Sequence, residues 1–141
     1  MSKLAILYWT GTGNTELIAN IISENAQAQG FETKLILMEN AIQDDIDSYD
    51  YLALGCPSMG AEVLEEDIVE PFIDEMNFTG KKIMLFGSYD WGDGEWMRNW
   101  AFKMNNEKNA FVHDEGLIVH LAPDEDALNE CEKHVKEFLK S

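Results

Sequence analysis

Basic side chains are scarce in this sequence. Ten lysines and arginines stand against 27 aspartates and glutamates, a formal charge of -17 at pH 7. Between Lys34 and Lys81 there is no lysine or arginine, while carboxylates gather from Asp44 to Asp50 and from Glu62 to Glu75. A field of that sign repels nucleic acid and anionic membrane, so neither is expected as a partner. It favours fast, salt-sensitive docking to a basic protein surface, although the same acidity serves plain solubility equally well. Cysteine is sparse too. Cys56 and Cys131 are too few and too far apart for a disulfide framework or a zinc site, and they fit a reducing cytoplasm. No apolar run nears the ~20 residues that cross a bilayer. The opening MSKLAILYW reads as a first strand, not a signal peptide.

What is present suits one folded unit. A chain of 141 residues with 45% apolar content can bury a core of its own, so residues 1–141 are read as a single domain. Strand-length apolar runs alternate with helix-period segments. Strands are expected at 3–8, 32–37, 51–55 and 82–87, with a fifth across 110–120 that is broken near Asp114–Gly116. Helices are expected at 14–29, at about 65–76 with Pro71 kinking or restarting it, at about 94–105, and from Pro123 to Leu139. Such alternation implies an α/β fold: a parallel sheet with helices on both faces and right-handed crossovers. Ligands of such sheets bind at the carboxyl ends of the strands.

Three stretches occupy those ends. WTGTGNT, residues 9–15, follows the first strand and opens a helix. It lacks the third glycine of a dinucleotide fingerprint, where Glu16 stands, and the GK[ST] of a P-loop. Two glycines, hydroxyls at Thr10, Thr12 and Thr15, the Asn14 amide and a helix N-terminus remain, and these can hold a phosphate without a cation. The plainer alternative is a tight turn with a threonine cap. After the third strand comes GCPSMGAE and after the fourth GSYDWGDG, each with a large polarisable side chain, Met59 or Trp91, where a loop is normally polar. Together those two side chains could sandwich a flat aromatic ligand.

With YWTGTGNTE, LGCPSMGAEVLEE, EPFI and LFGSYDWGDGEWM in place, the chain resembles the short-chain flavodoxins over essentially its whole length. The resemblance implies a three-layer sandwich around a five-stranded parallel sheet of order 2-1-3-4-5. It implies a non-covalently bound flavin mononucleotide (FMN) and a low-potential one-electron carrier, not an enzyme, shuttling between semiquinone and hydroquinone. The alternative is a flavin-dependent reductase or activase of the same fold. By this similarity Trp9, Thr10, Gly11, Thr12, Gly13, Asn14 and Thr15 form the phosphate loop. Ser58 and Met59 lie beside the inner face of the ring, and Trp91 covers the outer. The Gly60–Ala61 peptide faces flavin N5, where Gly60 lets it turn over on reduction. Glu62 meets N3, and Ser88, Tyr89, Asp90, Trp91 and Gly92 meet the pyrimidine end. No metal is implied. The family's way of working implies a cytoplasmic monomer that docks on basic surfaces of low-potential oxidoreductases and reductases.

Two local expectations follow. A lysine in the phosphate loop would attract the reduced flavin anion and blunt its reducing power, so its absence suits a low potential. Asp90, often glycine in the family, adds negative charge near the ring and is expected to tolerate a left-handed turn. The scattered His113, His120 and His134 are read as ordinary surface or strand-edge residues, Cys56 as packing, and Trp96 and Trp100 as packing of the helix at about 94–105.

Overall fold

The computed structural model describes residues 2–140. The strands are β1 (Lys3–Tyr8), β2 (Glu32–Leu37), β3 (Tyr51–Gly55), β4 (Lys82–Tyr89), β5 (Phe111–Val112) and β6 (Leu117–His120). The helices are α1 (Asn14–Ala28), α2 (Asp44–Asp47), α3 (Val69–Glu75), α4 (Glu95–Asn106) and α5 (Glu125–Leu139). All pairings are parallel, in the order β2-β1-β3-β4-β5, and β6 lies further along the same edge of β4 as β5. This is the expected order, with the fifth strand in two pieces. The break falls where Asp114 and Gly116 take positive φ, 53° and 102°. A Cβ on Gly116 would stand 2.7 Å from Met97, so the backbone passes too close to α4 for any side chain.

The inner strands β1, β3 and β4 are buried on both faces, which explains why they read as continuous apolar runs and not as alternating ones, while the edge strand β2 keeps polar, exposed residues. In β1, Leu4, Ile6 and Tyr8 pack with α1 and α5, while Ala5 and Leu7 turn to the face covered by α3 and α4. Met84 and Phe86 of β4 join the first group, and Ile83 and Leu85 the second. Trp96 and Trp100, one helical turn apart on α4, are fully buried in the second core.

Several boundaries differ from the sequence reading. β4 runs two residues further, because Ser88 and Tyr89 pair with Val119 and His120. The short α2 and a 3-10 turn at Met38–Asn40 lack the apolar periodicity that reveals longer helices. Pro71 causes no kink, since α3 begins at Val69 and its first turn needs no N–H from that position. The restart has a visible cause. Glu65, buried ahead of the helix, accepts the N–H groups of Asp67, Ile68 and Val69 through its carboxylate at 2.6–3.0 Å. Burial alone would raise that carboxyl, but the three donors outweigh it and hold Glu65 below the usual range. α5 begins two residues after Pro123, with Asp124 as its cap accepting from Ala127 N–H at 2.9 Å.

At the opposite end of the sheet from the carboxyl ends, the rings of His113 and His134 meet edge to face, centroids 4.9 Å apart. The Nε2 of each is buried without a hydrogen-bond partner among the described residues. Burial first, and then the neighbouring His113, push His134 down to about 4, against the opposing pull of Asp114 and Glu137. The unfolded chain takes up that proton near pH ~6.5 and the folded one only near 4. His134 therefore supports the fold fully above pH ~6.5, and its support drains away as pH falls toward 4. Urea unfolding should show the protein losing about 2 kcal/mol between pH 7.5 and 5 relative to a His134→Leu variant. Parallel pH dependences in the two proteins would refute this.

Candidate functional site

The carboxyl ends of β1, β3, β4 and β6 open on one edge, and a cleft of about 250 Å³ lies there. It is lined by Gly11, Thr12, Asn14, Pro57, Ser58, Met59, Ser88, Tyr89, Asp90 and Leu121. Three loops that are far apart in sequence thus meet, as parallel strands with a reversal of order between β1 and β3 require.

The first wall is the 9–15 loop. Thr10 Oγ1 accepts the Gly13 N–H at 3.0 Å, which curls the chain into a nest. Gly13 sits at φ 99°, a region closed to most side chains, and hands over to α1 without a side-chain cap. Gly11 packs its backbone against the Trp9 ring, which a Cβ would crowd at 3.2 Å. Thr12 and Asn14 remain open to the cleft. Thr15 does not. It is 1% exposed, and its Oγ1 shares a hydrogen bond with Ser88 Oγ at 3.0 Å, tying α1 to the end of β4. No lysine or arginine lines this wall. Lys3 stands at the far end of β1, with its ammonium over the Tyr49 ring.

The second wall follows β3. Met59 and Val63 exchange both backbone hydrogen bonds, at 2.9 and 3.0 Å, closing a three-residue hairpin tip of Gly60, Ala61 and Glu62. Gly60 and Glu62 both take positive φ, 46° and 56°. That is a strained choice for glutamate, and its side chain shows what it gains. Glu62 is 8% exposed, and its carboxylate accepts from Asp93 N–H at 3.1 Å and Trp96 N–H at 3.4 Å. It therefore caps α4, whose own N-cap, Gly94, has no side chain to do so. Cys56, beneath this loop, is buried with its thiol pushed up to about 12 by burial, and it donates to Pro57 O. It is inert, as its setting in the sequence suggested.

The third wall is Ser88–Gly94. Ser88 and Tyr89 belong to β4 itself and not to a loop. Asp90 is not left-handed, contrary to expectation. The positive φ values fall at Gly92 and Gly94, and Asp90 instead follows the strand with its carbonyl 2.9 Å from His120 Nε2. Arg98 fastens the next turn, donating to the Asp93 carbonyl at 2.9 Å and its carboxylate at 3.0 Å. Trp91 stands at the rim, 59% exposed and outside the set that lines the cleft. Gly60 and Ala61 line an adjoining hollow with Met59. Trp9, Thr10, Gly13 and Thr15 support the first wall without lining the cleft. Pro57 and Leu121 line it and escaped the sequence reading. The rule that ligands meet residues just past strand ends points to Leu121, one residue beyond β6.

A phosphorylated planar ligand fits what is here. The first wall offers N–H and hydroxyl donors and no carboxylate. Met59 offers a flat apolar contact, and the third wall carries backbone polar groups.

Comparison with known proteins bears on this geometry. The chain matches the family model described as Flavodoxin over residues 6–135. It is 44% identical over 124 residues to a flavodoxin of Clostridium beijerinckii, covering 86% of this chain and 89% of that one. It is 44% identical over 121 residues to one of Megasphaera elsdenii, covering 84% and 87%. Among solved structures, it superposes on two-electron reduced Megasphaera elsdenii flavodoxin with a TM-score of 0.85 at 38% identity, covering 98% and 99%. On oxidised Flavodoxin 2 from Bacillus cereus the TM-score is 0.84 at 30% identity, covering 99% of each chain.

The contact between the second and third walls can be tested directly. A Cβ on Gly92 would fall 1.9 Å from Glu62 Oε1, at a φ of 92°. Gly92→Ala should displace the Glu62 carboxylate and lower stability by about 1–3 kcal/mol in urea unfolding. A change within error would show that the two walls are not coupled.

Proposed function

The chain belongs to the flavodoxin family, so it is an FMN-based electron carrier without substrate turnover of its own, and we propose that the three walls divide the binding of FMN among them. Bound there, FMN supplies one-electron chemistry at low potential; the reductase alternative is not favoured. The observation that carries the reading is the first wall, with backbone N–H and hydroxyl donors and no charged side chain, facing Met59 across one cleft.

On this reading the backbone N–H groups of the 10–15 nest, with the Thr12 and Asn14 side chains, hold the phosphate. The N-terminus of α1 adds its dipole. Thr15 positions the nest through Ser88 and joins it only by turning its hydroxyl toward the cleft. Met59 covers one ring face, and the exposed Trp91 swings over the other. The Gly60–Ala61 peptide would face the ring, and Gly60, already at positive φ, would let that peptide turn so that its carbonyl could accept a hydrogen bond from a ring N–H. Glu62 keeps lone pairs beyond those used by Asp93 and Trp96, and offers one to N3–H. The remaining polar contacts come from Ser88 to Gly92.

Low potential follows from charge. Met59, Trp91, the surplus of carboxylates and a nest without lysine would stabilise negative charge in the site poorly, which would favour a low potential. Partners are basic faces of redox proteins that approach the rim where Trp91 and Leu121 are exposed. We place the protein in the cytoplasm as a monomer, its two thiols buried and unpaired; no helix among the described residues is long and apolar enough to cross a membrane.

The purified protein should be yellow with FMN and turn blue on uptake of one electron. A colourless protein that ignores added FMN would overturn the reading. Asp90→Asn and Thr12→Lys should each raise the potential of the second electron, by on the order of 20 mV for one charge near 10 Å in water. Spectroelectrochemical titration measures both couples, and unchanged values would remove charge as the cause of the low potential.

A further inference from the structure

We propose that His120 is a positioning residue for the pyrimidine end of the flavin: its bond to the Asp90 carbonyl turns the Asp90–Trp91 peptide so that the Trp91 N–H faces the cleft. The inference rests on the reading of the cleft as an FMN site.

The directions of three successive carbonyls carry it. Along a regular strand, carbonyls alternate between the two neighbours. Ser88 O points toward the β3 side, where it accepts Ser58 N–H at 3.0 Å. Tyr89 O points the other way and accepts Leu121 N–H at 2.8 Å. Asp90 O, next in line, should return to the β3 side and so toward the cleft. It lies instead 2.9 Å from His120 Nε2, on the β6 side. The peptide is turned over relative to a continuing strand. A carbonyl only accepts, so Nε2 carries the hydrogen of this bond. The peptide is planar and trans, so the Trp91 N–H points opposite to that carbonyl. On this proposal a donor stands at the rim of the cleft next to Asp90, which lines it, where the strand would have placed an acceptor.

The corner that does this is built for it. His120 is the last residue of β6, in register with Tyr89, and its ring packs against the Tyr89 ring with centroids 5.1 Å apart. Leu121 adopts φ 58°, a region that leucine disfavours, and this turns the chain away at once while leaving its side chain on the cleft. A donor at this place favours the oxygen-rich edge of a flavin, and favours it more when reduction leaves negative charge there.

The experiment compares His120→Leu, which keeps bulk and removes the donor, with His120→Gln, whose amide can donate to the same carbonyl. FMN affinity is read from flavin fluorescence and the second-electron potential from spectroelectrochemistry. His120→Leu should bind FMN roughly three- to tenfold more weakly. Its second-electron potential should fall, by 59 mV for each tenfold that binding of the reduced form weakens beyond that of the oxidised form. His120→Gln should restore both. Unchanged values in His120→Leu, or a His120→Gln variant as impaired as His120→Leu, would overturn the proposal. If His120→Leu fails to fold, wild-type values in His120→Gln support the bond and impaired ones reject it. Failure of the unaltered protein to bind FMN would instead sink the underlying reading of the cleft.

Discussion

Burial of a parallel sheet on both faces is the constraint from which the rest follows. Strands such as β1, with Leu4 to Tyr8 all buried, have no solvent face, so helices must cover the sheet front and back. Each crossover then returns the chain to the same end, and every carboxyl end emerges on one edge. The cleft is a by-product of that bookkeeping. Reversal of strand order between β1 and β3 parts the crossovers, and the three walls stand around the gap.

The walls are not independent loops. Thr15 joins the first to the third through Ser88, Glu62 joins the second to the third through Asp93 and Trp96, and His120 braces the third from the sheet edge. Each link sets a polar side chain against a backbone or hydroxyl group that would otherwise be left unmatched near the core. The cost is local strain, visible at Glu62 and Leu121. A site held this way can present donors to a phosphate without lysine, because its backbone is already arranged before any ligand arrives. The nest then needs no basic side chain, in a chain whose formal charge is -17 at pH 7.

Much of this was legible from residue order. Continuous apolar runs marked β1, β3 and β4, because burial on both faces removes polar residues from a strand, and the shorter apolar stretch at residues 35–37 and the broken 110–120 segment marked the edges. Gly11, Thr12, Asn14, Ser58, Met59, Ser88, Tyr89 and Asp90 follow from their place at strand ends, and all line the cleft. What stayed hidden involved contacts across sequence. The four-residue α2 has no period to detect. Thr15 looked like a phosphate contact by spacing alone and is turned onto Ser88, 73 residues away. Asp90 looked like a left-handed turn residue, but the strand continues two residues further than its composition suggests and moves the turn to Gly92 and Gly94.

The order of apolar and polar residues by itself determined the layers, the strand sequence and the glycine-rich segments placed at strand ends. These depend on local periodicity and on the short reach of backbone hydrogen bonds. Only the tertiary structure decided which way the polar groups face. The Glu62 carboxylate turns to α4, the Thr15 hydroxyl to β4 and the Asp90 carbonyl to His120, because each partner is brought into range by packing and not by proximity along the chain.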